Sequence, residues 1–187
     1  MSESLEPFGV HSPAMGPLAD GPTRDYVRKL ELFSRFAEAE LREMVGWLGI
    51  RPGARLLDAG CGAGLLSRWL AEAAAPGGTL LAVDISQAHA AAARARLRDS
   101  PIPAAVRIAD ATDLGLPPDS LDLVWCSNTP NHLADPEAAP RGWRSAHSLG
   151  GRVAVGQSSF LPEMFFAWNS RLEAEVARAC RRYFREE

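Results

Sequence analysis

The stretch Leu56-Leu57-Asp58-Ala59-Gly60-Cys61-Gly62-Ala63-Gly64 decides the fold. It reads as a short apolar strand, a glycine-rich turn and the start of a helix. Three alternating glycines let the backbone bend sharply and come close to a ligand. The first amides of the helix have no partner within it, which suits a carboxylate. A tight turn of this kind also occurs with no ligand, so the neighbouring residues have to decide. Asp58 stands two positions ahead of the first glycine, and Asp84 ends the next apolar run, about 26 residues after Asp58. An acid at the end of a second strand is placed to accept hydrogen bonds from ribose hydroxyls.

Outward from this stretch, strands and helices alternate. Strands are expected at 55–59, 79–84, 104–109, 121–126 and 152–157. Helices are expected at 65–75, 86–97 and 135–147, the last interrupted by Pro140. Such alternation predicts an α/β fold, a doubly wound and mostly parallel sheet with helices on both faces. Ahead of the sheet, Tyr26, Leu30, Phe33, Phe36 and Ala37 recur at helical spacing after a capping Thr23. Leu41, Met44, Val45 and Leu48 continue the pattern until Gly49 and Pro52 stop it. Residues 22–49 therefore read as two helices or one broken helix. Residues 1–21, with Pro7, Gly9, Pro13, Gly16, Pro17 and Gly21, read as a flexible arm. Residues 162–187 read as one helix whose apolar face carries Phe165, Phe166, Trp168, Leu172 and Val176. The binding domain is thus expected over 22–187, with its α/β core at 54–157.

Composition narrows the function. The chain has 187 residues, 47% hydrophobic and 23% charged, with a net charge of −3. That is enough for one substantial core, and it supplies no basic field to draw nucleic acid. Cys61, Cys126 and Cys180 are scattered, with no Cys/His cluster to suggest a metal. Reduced thiols and the lack of a leader pattern point to the cytoplasm. No apolar run approaches a membrane span, so no membrane partner is expected.

On the D-x-G-x-G-x-G stretch and the second acid, residues 24–157 resemble the class I S-adenosylmethionine (SAM)-dependent methyltransferases. They are similar to the small-molecule branch of menaquinone and ubiquinone biosynthesis type. The resemblance implies a Rossmann-like methyltransferase fold, SAM as cofactor and methyl transfer to a small-molecule acceptor. It implies that Asp58, Gly60, Gly62 and Gly64 hold the methionine end of SAM. Asp84 would take the ribose hydroxyls, Ile85 would pack on the adenine, Asp110 would meet the adenine amino group, and Ala111 would lie alongside. Ser127 and Asn128 would line the methyl-transfer side. Gly150-Gly151-Arg152 resembles the family's turn into the fifth strand, with Leu149 where a proline is usual. A NAD enzyme would instead show G-x-G-x-x-G.

Other residues keep two readings. Tyr26 either touches SAM or substrate, or is a core aromatic. His89 either stacks against the nucleoside, at a slot where related enzymes often carry methionine, or faces solvent. His132 is the candidate general base, or a loop histidine bonded to backbone. Phe160, Met164, Phe165, Phe166 and Trp168 either line an apolar acceptor pocket or pack a core. His147 is expected at a helix end, where a positive charge is favourable. Cys61 reads as a small loop residue and Cys126 as a buried strand residue. After the fourth strand there is no Asp/Asn-Pro-Pro-aromatic sequence of the kind found in amino-methylating nucleic-acid enzymes.

A complete domain of the resembled family adds two strands after the fifth, one antiparallel, where this sequence offers only helix. The expectation is an incomplete domain, or a fifth-strand edge covered by a partner or a second copy. The rival function is a non-catalytic module binding SAM or a nucleoside; aminopropyl transfer would need an acidic polyamine site that is not evident.

Overall fold

Leu56 and Leu57, adjacent on one strand, are both buried but enter opposite cores. That is possible only for a strand in the middle of a sheet covered on both faces. The strand is β1 (Arg55–Ala59), and the computed structural model describes residues 26–133, 143–144 and 146–156 around it. β2 (Thr79–Asp84), β3 (Ala104–Ile108), β4 (Leu121–Ser127) and β5 (His147–Gly156) complete the described sheet in the order β3-β2-β1-β4-β5. Every pairing is parallel. The order reverses between β1 and β4, so the carboxyl ends of these two strands flank the crevice where such sheets bind ligands.

One face is packed by α2 (Glu38–Trp47), α3 (Leu65–Ala74) and α4 (Gln87–Arg96). Val45, Trp69, Leu70 and Ala93 from these helices meet Leu56, Leu80, Leu123 and Trp125 from the strands. On the other face Leu57, Val83, Val124 and Cys126 meet Leu114, Trp143 and Ala146. Each large apolar side chain buried here contributes about 1.5–3 kcal/mol. The Trp143 indole N–H donates to the Ala111 carbonyl at 2.7 Å, so its one polar atom is satisfied in the core.

The starts of β1 and β4 are joined by charge. Arg55 Nε and Nη2 donate to the two carboxylate oxygens of Asp122 at 3.1 and 2.9 Å. The Ser148 hydroxyl adds a bond to Asp122 at 2.9 Å, bringing in β5. Arg55 holds the Asp122 carboxyl well below the ordinary carboxylate range.

Two helices, rather than one, precede the sheet: α1 (Tyr26–Phe36) and α2, separated at Ala37. Val45 and Leu48 enter the core, whereas Phe33 and Phe36 lie exposed.

The main correction concerns His147. It is not at a helix end but is the first residue of β5, opposite Leu121, and β5 begins five residues before the expected Arg152. The register jumps from Leu121↔His147 to Leu123↔Arg152, so the strand is interrupted around Gly150-Gly151 before regular pairing resumes. That bulge erases the alternation a sequence reading relies on. Of the helix expected at 135–147, Trp143 and Arg144 are helical. The expected arm, the capping Thr23, Pro140, the helix at 162–187, Cys180 and the aromatic group from Phe160 to Trp168 lie outside the described residues. None of the described helices is long and apolar enough to cross a membrane.

Candidate cofactor site

Four parallel strands end at one edge of the sheet, in Ala59, Asp84, Ile108 and Ser127. The residues singled out in the sequence follow these ends directly. From β1 the chain enters the glycine loop, where Gly60, Gly62 and Gly64 have φ of 80°, 51° and 78°. L-residues other than glycine rarely adopt such angles. Gly60 N–H and Cys61 N–H both donate to the Val83 carbonyl, at 2.8 and 2.9 Å, so the loop folds back over the end of β2. Gly64 caps α3 with no side-chain hydrogen bond to the first turn, which leaves that turn's amides suited to an anion.

Asp84, at the end of β2, ties the loop to the next helix. Its Oδ2 accepts Gly62 N–H at 2.8 Å and its Oδ1 accepts Ser86 N–H at 2.9 Å. His89 Nδ1 lies 3.3 Å from Oδ1, so His89 neither faces solvent nor stands apart from the site. Ser86 caps α4 by accepting His89 N–H at 3.2 Å. Ile85 is 58% exposed, an apolar surface beside the carboxylate.

Asp58 is placed differently. Its carboxyl is buried and takes the Ser67 hydroxyl of α3 at 2.5 Å. Burial pushes its pKa up to about 7 against the pull of Ser67, and nearby Asp84 adds to the rise. An acid held above its ordinary value retains a proton in the folded chain that the unfolded chain has released by about pH 4. Stability from this group is full below about pH 4, falls by up to ~1.4 kcal/mol per pH unit between about pH 4 and about pH 7, where only the unfolded chain has released the proton, and is flat once the folded form has ionised above that. Asp122, shifted downward, acts at more acid pH. Urea melts of Asp58→Asn at about pH 4.5 and about pH 6.5 are expected to lose this slope; an unchanged slope would assign it elsewhere.

Asp110 follows β3. Its Oδ1 accepts the Thr112 amide and hydroxyl at 2.8 and 2.7 Å, a local turn that fixes the side chain and leaves Oδ2 available. Ala111 is buried beside it. After Ser127, Asn128 has φ of 50°, and its N–H donates to the Gly156 carbonyl at 2.8 Å. A non-glycine residue held there is a local strain, and such strains cluster at functional sites. His132 ends the 3-10 turn Pro130–His132 and is exposed, its amide donating to the Thr129 carbonyl at 2.9 Å. Tyr26 is the first residue of α1, and its side chain lies outside what the structure describes.

Three contributors were not singled out in the sequence. The Thr129 hydroxyl lies 3.3 Å from the Gly60 carbonyl, so the loop after β4 rests on the glycine loop. Ser67 is the partner of Asp58. Arg96 donates from Nε to the Ala63 carbonyl and from Nη2 to Glu31, each at 3.0 Å, linking the glycine loop to α1. A serine on the helix three residues after the last glycine is a local signal; the other two arise from contacts far apart in sequence.

Neither described thiol is a nucleophile in waiting. Burial raises the Cys61 thiol far above its usual range, with Asp58 and Asp84 adding to the rise, and it pushes Cys126 up to about 12. Among the described residues no group of three or more His, Cys, Asp or Glu side chains is arranged to hold a metal ion.

Comparison with known proteins agrees with this arrangement. Residues 57–155, more than half of the chain, match the family model described as a methyltransferase domain. A ubiquinone biosynthesis O-methyltransferase of Xanthomonas campestris pv. campestris is 33% identical over 115 residues, covering 61% of this chain and 47% of that protein. A ubiquinone/menaquinone biosynthesis C-methyltransferase of Burkholderia vietnamiensis is 32% identical over 106 residues, covering 57% and 44%. The match thus spans less than half the length of these relatives. In fold, the chain is similar to a SAM-dependent methyltransferase from Aquifex aeolicus, with a TM-score of 0.64, 19% identity, and coverage of 81% of this chain and 86% of that one. The glycine loop, the acid that pins it and the parallel sheet that carries both are accounted for together: the chain belongs to the class I SAM-dependent methyltransferase family.

Proposed function

We propose that this chain transfers the methyl group of SAM to a small-molecule acceptor in the cytoplasm. The observation that carries the reading is the bond from Gly62 N–H to Asp84 at 2.8 Å, which locks the glycine loop against a carboxylate still able to accept a hydroxyl. A nucleoside joined to an amino acid fits that pairing: the ribose at Asp84, the carboxylate at the first turn of α3. Exposed Ile85 offers an apolar face for adenine, and Asp110 Oδ2 an acceptor for its amino group. The net charge of −3 and the biosynthetic relatives support a small acceptor over nucleic acid.

SAM supplies a methyl group on a sulfonium, and its departure leaves S-adenosylhomocysteine. The chain's own part is chiefly to hold two reactants in line, where proximity and alignment provide most of the rate. The acceptor is read as entering beside Ser127 and Asn128. His132 would take up the proton that a protic acceptor gives away. Asp58, bonded to Ser67, supports the junction of β1 and α3 from beneath.

Calorimetric titration of SAM and S-adenosylhomocysteine, with NAD as control, tests the site; methyl transfer from labelled SAM to small molecules of a cell extract tests the activity. Micromolar binding of both, with none of NAD, is expected, and a folded chain that binds neither would overturn the reading. His132→Ala is expected to lower turnover about a hundredfold and leave S-adenosylhomocysteine affinity within about twofold. Unchanged turnover would remove His132 from the mechanism.

A further inference from the structure

The hydrogen bonds of Asp84 can be counted. A carboxylate offers about four lone-pair positions. Gly62 N–H occupies one on Oδ2, at 2.8 Å, and Ser86 N–H one on Oδ1, at 2.9 Å. His89 Nδ1 faces Oδ1 at 3.3 Å, and a ring nitrogen facing a carboxylate oxygen bonds to it only by donating. His89 Nε2 is buried and has no hydrogen-bond partner, so Asp84 is the ring's polar anchor. The ring is steered there by its own backbone, whose N–H is fixed on the Ser86 hydroxyl. Three of the four positions are taken. The one that remains lies on Oδ2, and the Asp84 side chain keeps 11% of its surface open.

A ribose presents two neighbouring hydroxyls to this single position. We infer that His89 is a positioning residue that makes Asp84 a reader of one ribose hydroxyl rather than two. By filling the second lone pair of Oδ1, the ring leaves the carboxylate a one-point contact and sets which hydroxyl carries affinity. This rests on the ribose assignment above and deepens it.

The test compares S-adenosylhomocysteine with its 2′-deoxy and 3′-deoxy forms, by calorimetry, on wild type, His89→Leu and His89→Asn. Losing the hydroxyl that meets Asp84 is expected to cost wild type about tenfold or more in affinity, and losing the other less than about threefold. His89→Leu frees the second position, so both losses are expected to cost about tenfold. His89→Asn, which keeps a donor near the place of Nδ1, is expected to restore the unequal pattern. A ring that served only in packing would weaken all three ligands alike. Equal penalties in wild type, or an unequal pattern that survives in His89→Leu, would overturn the inference while leaving the cofactor reading intact. Failure of wild type to bind intact S-adenosylhomocysteine would overturn both. Should leucine impair folding, His89→Met removes the same donor with a flexible side chain.

Discussion

Asp84→Ala is expected to weaken binding of S-adenosylhomocysteine by about a hundredfold or more, read by calorimetry. Three losses coincide. The ribose loses a hydrogen bond to a charged acceptor, which contributes about 1.5–3 kcal/mol. The Gly62 amide loses its partner and the glycine loop its tie to β2. The Ser86 amide, which is buried, is left unsatisfied at the entrance to α4, at about 1–3 kcal/mol. The lost ribose bond reaches the ~2.7 kcal/mol of a hundredfold near the top of its range, and the loosened glycine loop adds to it; the third loss lowers stability as well, so a melting curve must accompany the titration. Asp84→Asn keeps one acceptor oxygen and is expected to fall between. Binding by a folded Asp84→Ala within about fivefold of wild type would remove Asp84 from the ribose site.

Gly64→Ala is expected to destabilise the fold by about 3 kcal/mol. A Cβ on Gly64 would lie 2.8 Å from Ala93 Cα and 2.9 Å from Ala93 Cβ. The obstacle is the backbone of α4, which cannot rotate away as a long side chain would. Left-handed φ adds about 1–2 kcal/mol and overpacking about 1–3 kcal/mol. For a chain of this size the loss corresponds to a fall in Tm of roughly 10 °C. Gly46→Ala is the contrasting control: it lies within α2, a Cβ there meets nothing within 4 Å, and alanine is expected to raise stability by about 0.5–1 kcal/mol. If Gly64→Ala melts within about 2 °C of wild type, α3 and α4 are not in close contact at this point.

The β1–loop–α3 unit was legible in the sequence because its signals are local: an apolar strand, glycines at fixed spacing and an amphipathic helix. Asp84 was legible because strand ends repeat at regular intervals along an alternating chain. The start of β5 was not. Its first residues pair with β4 across an irregular register, so no alternation marks them, and His147 fell within a plausible helical run. Thr129 was missed because its contact is with Gly60, 69 residues earlier. For His89 the family resemblance suggested a place against the nucleoside and left a solvent-facing alternative open; the direction of its ring depends on Ser86, Asp84 and the burial of Nε2, which only packing decides.

The Arg55–Asp122–Ser148 cluster sits at the amino ends of the strands, one strand length or ~16 Å from the edge that carries the glycine loop. Durability and recognition are therefore adjustable separately in this scaffold. Directed changes among those three residues are expected to shift stability to heat or denaturant while the geometry of the glycine-loop edge is left as it is.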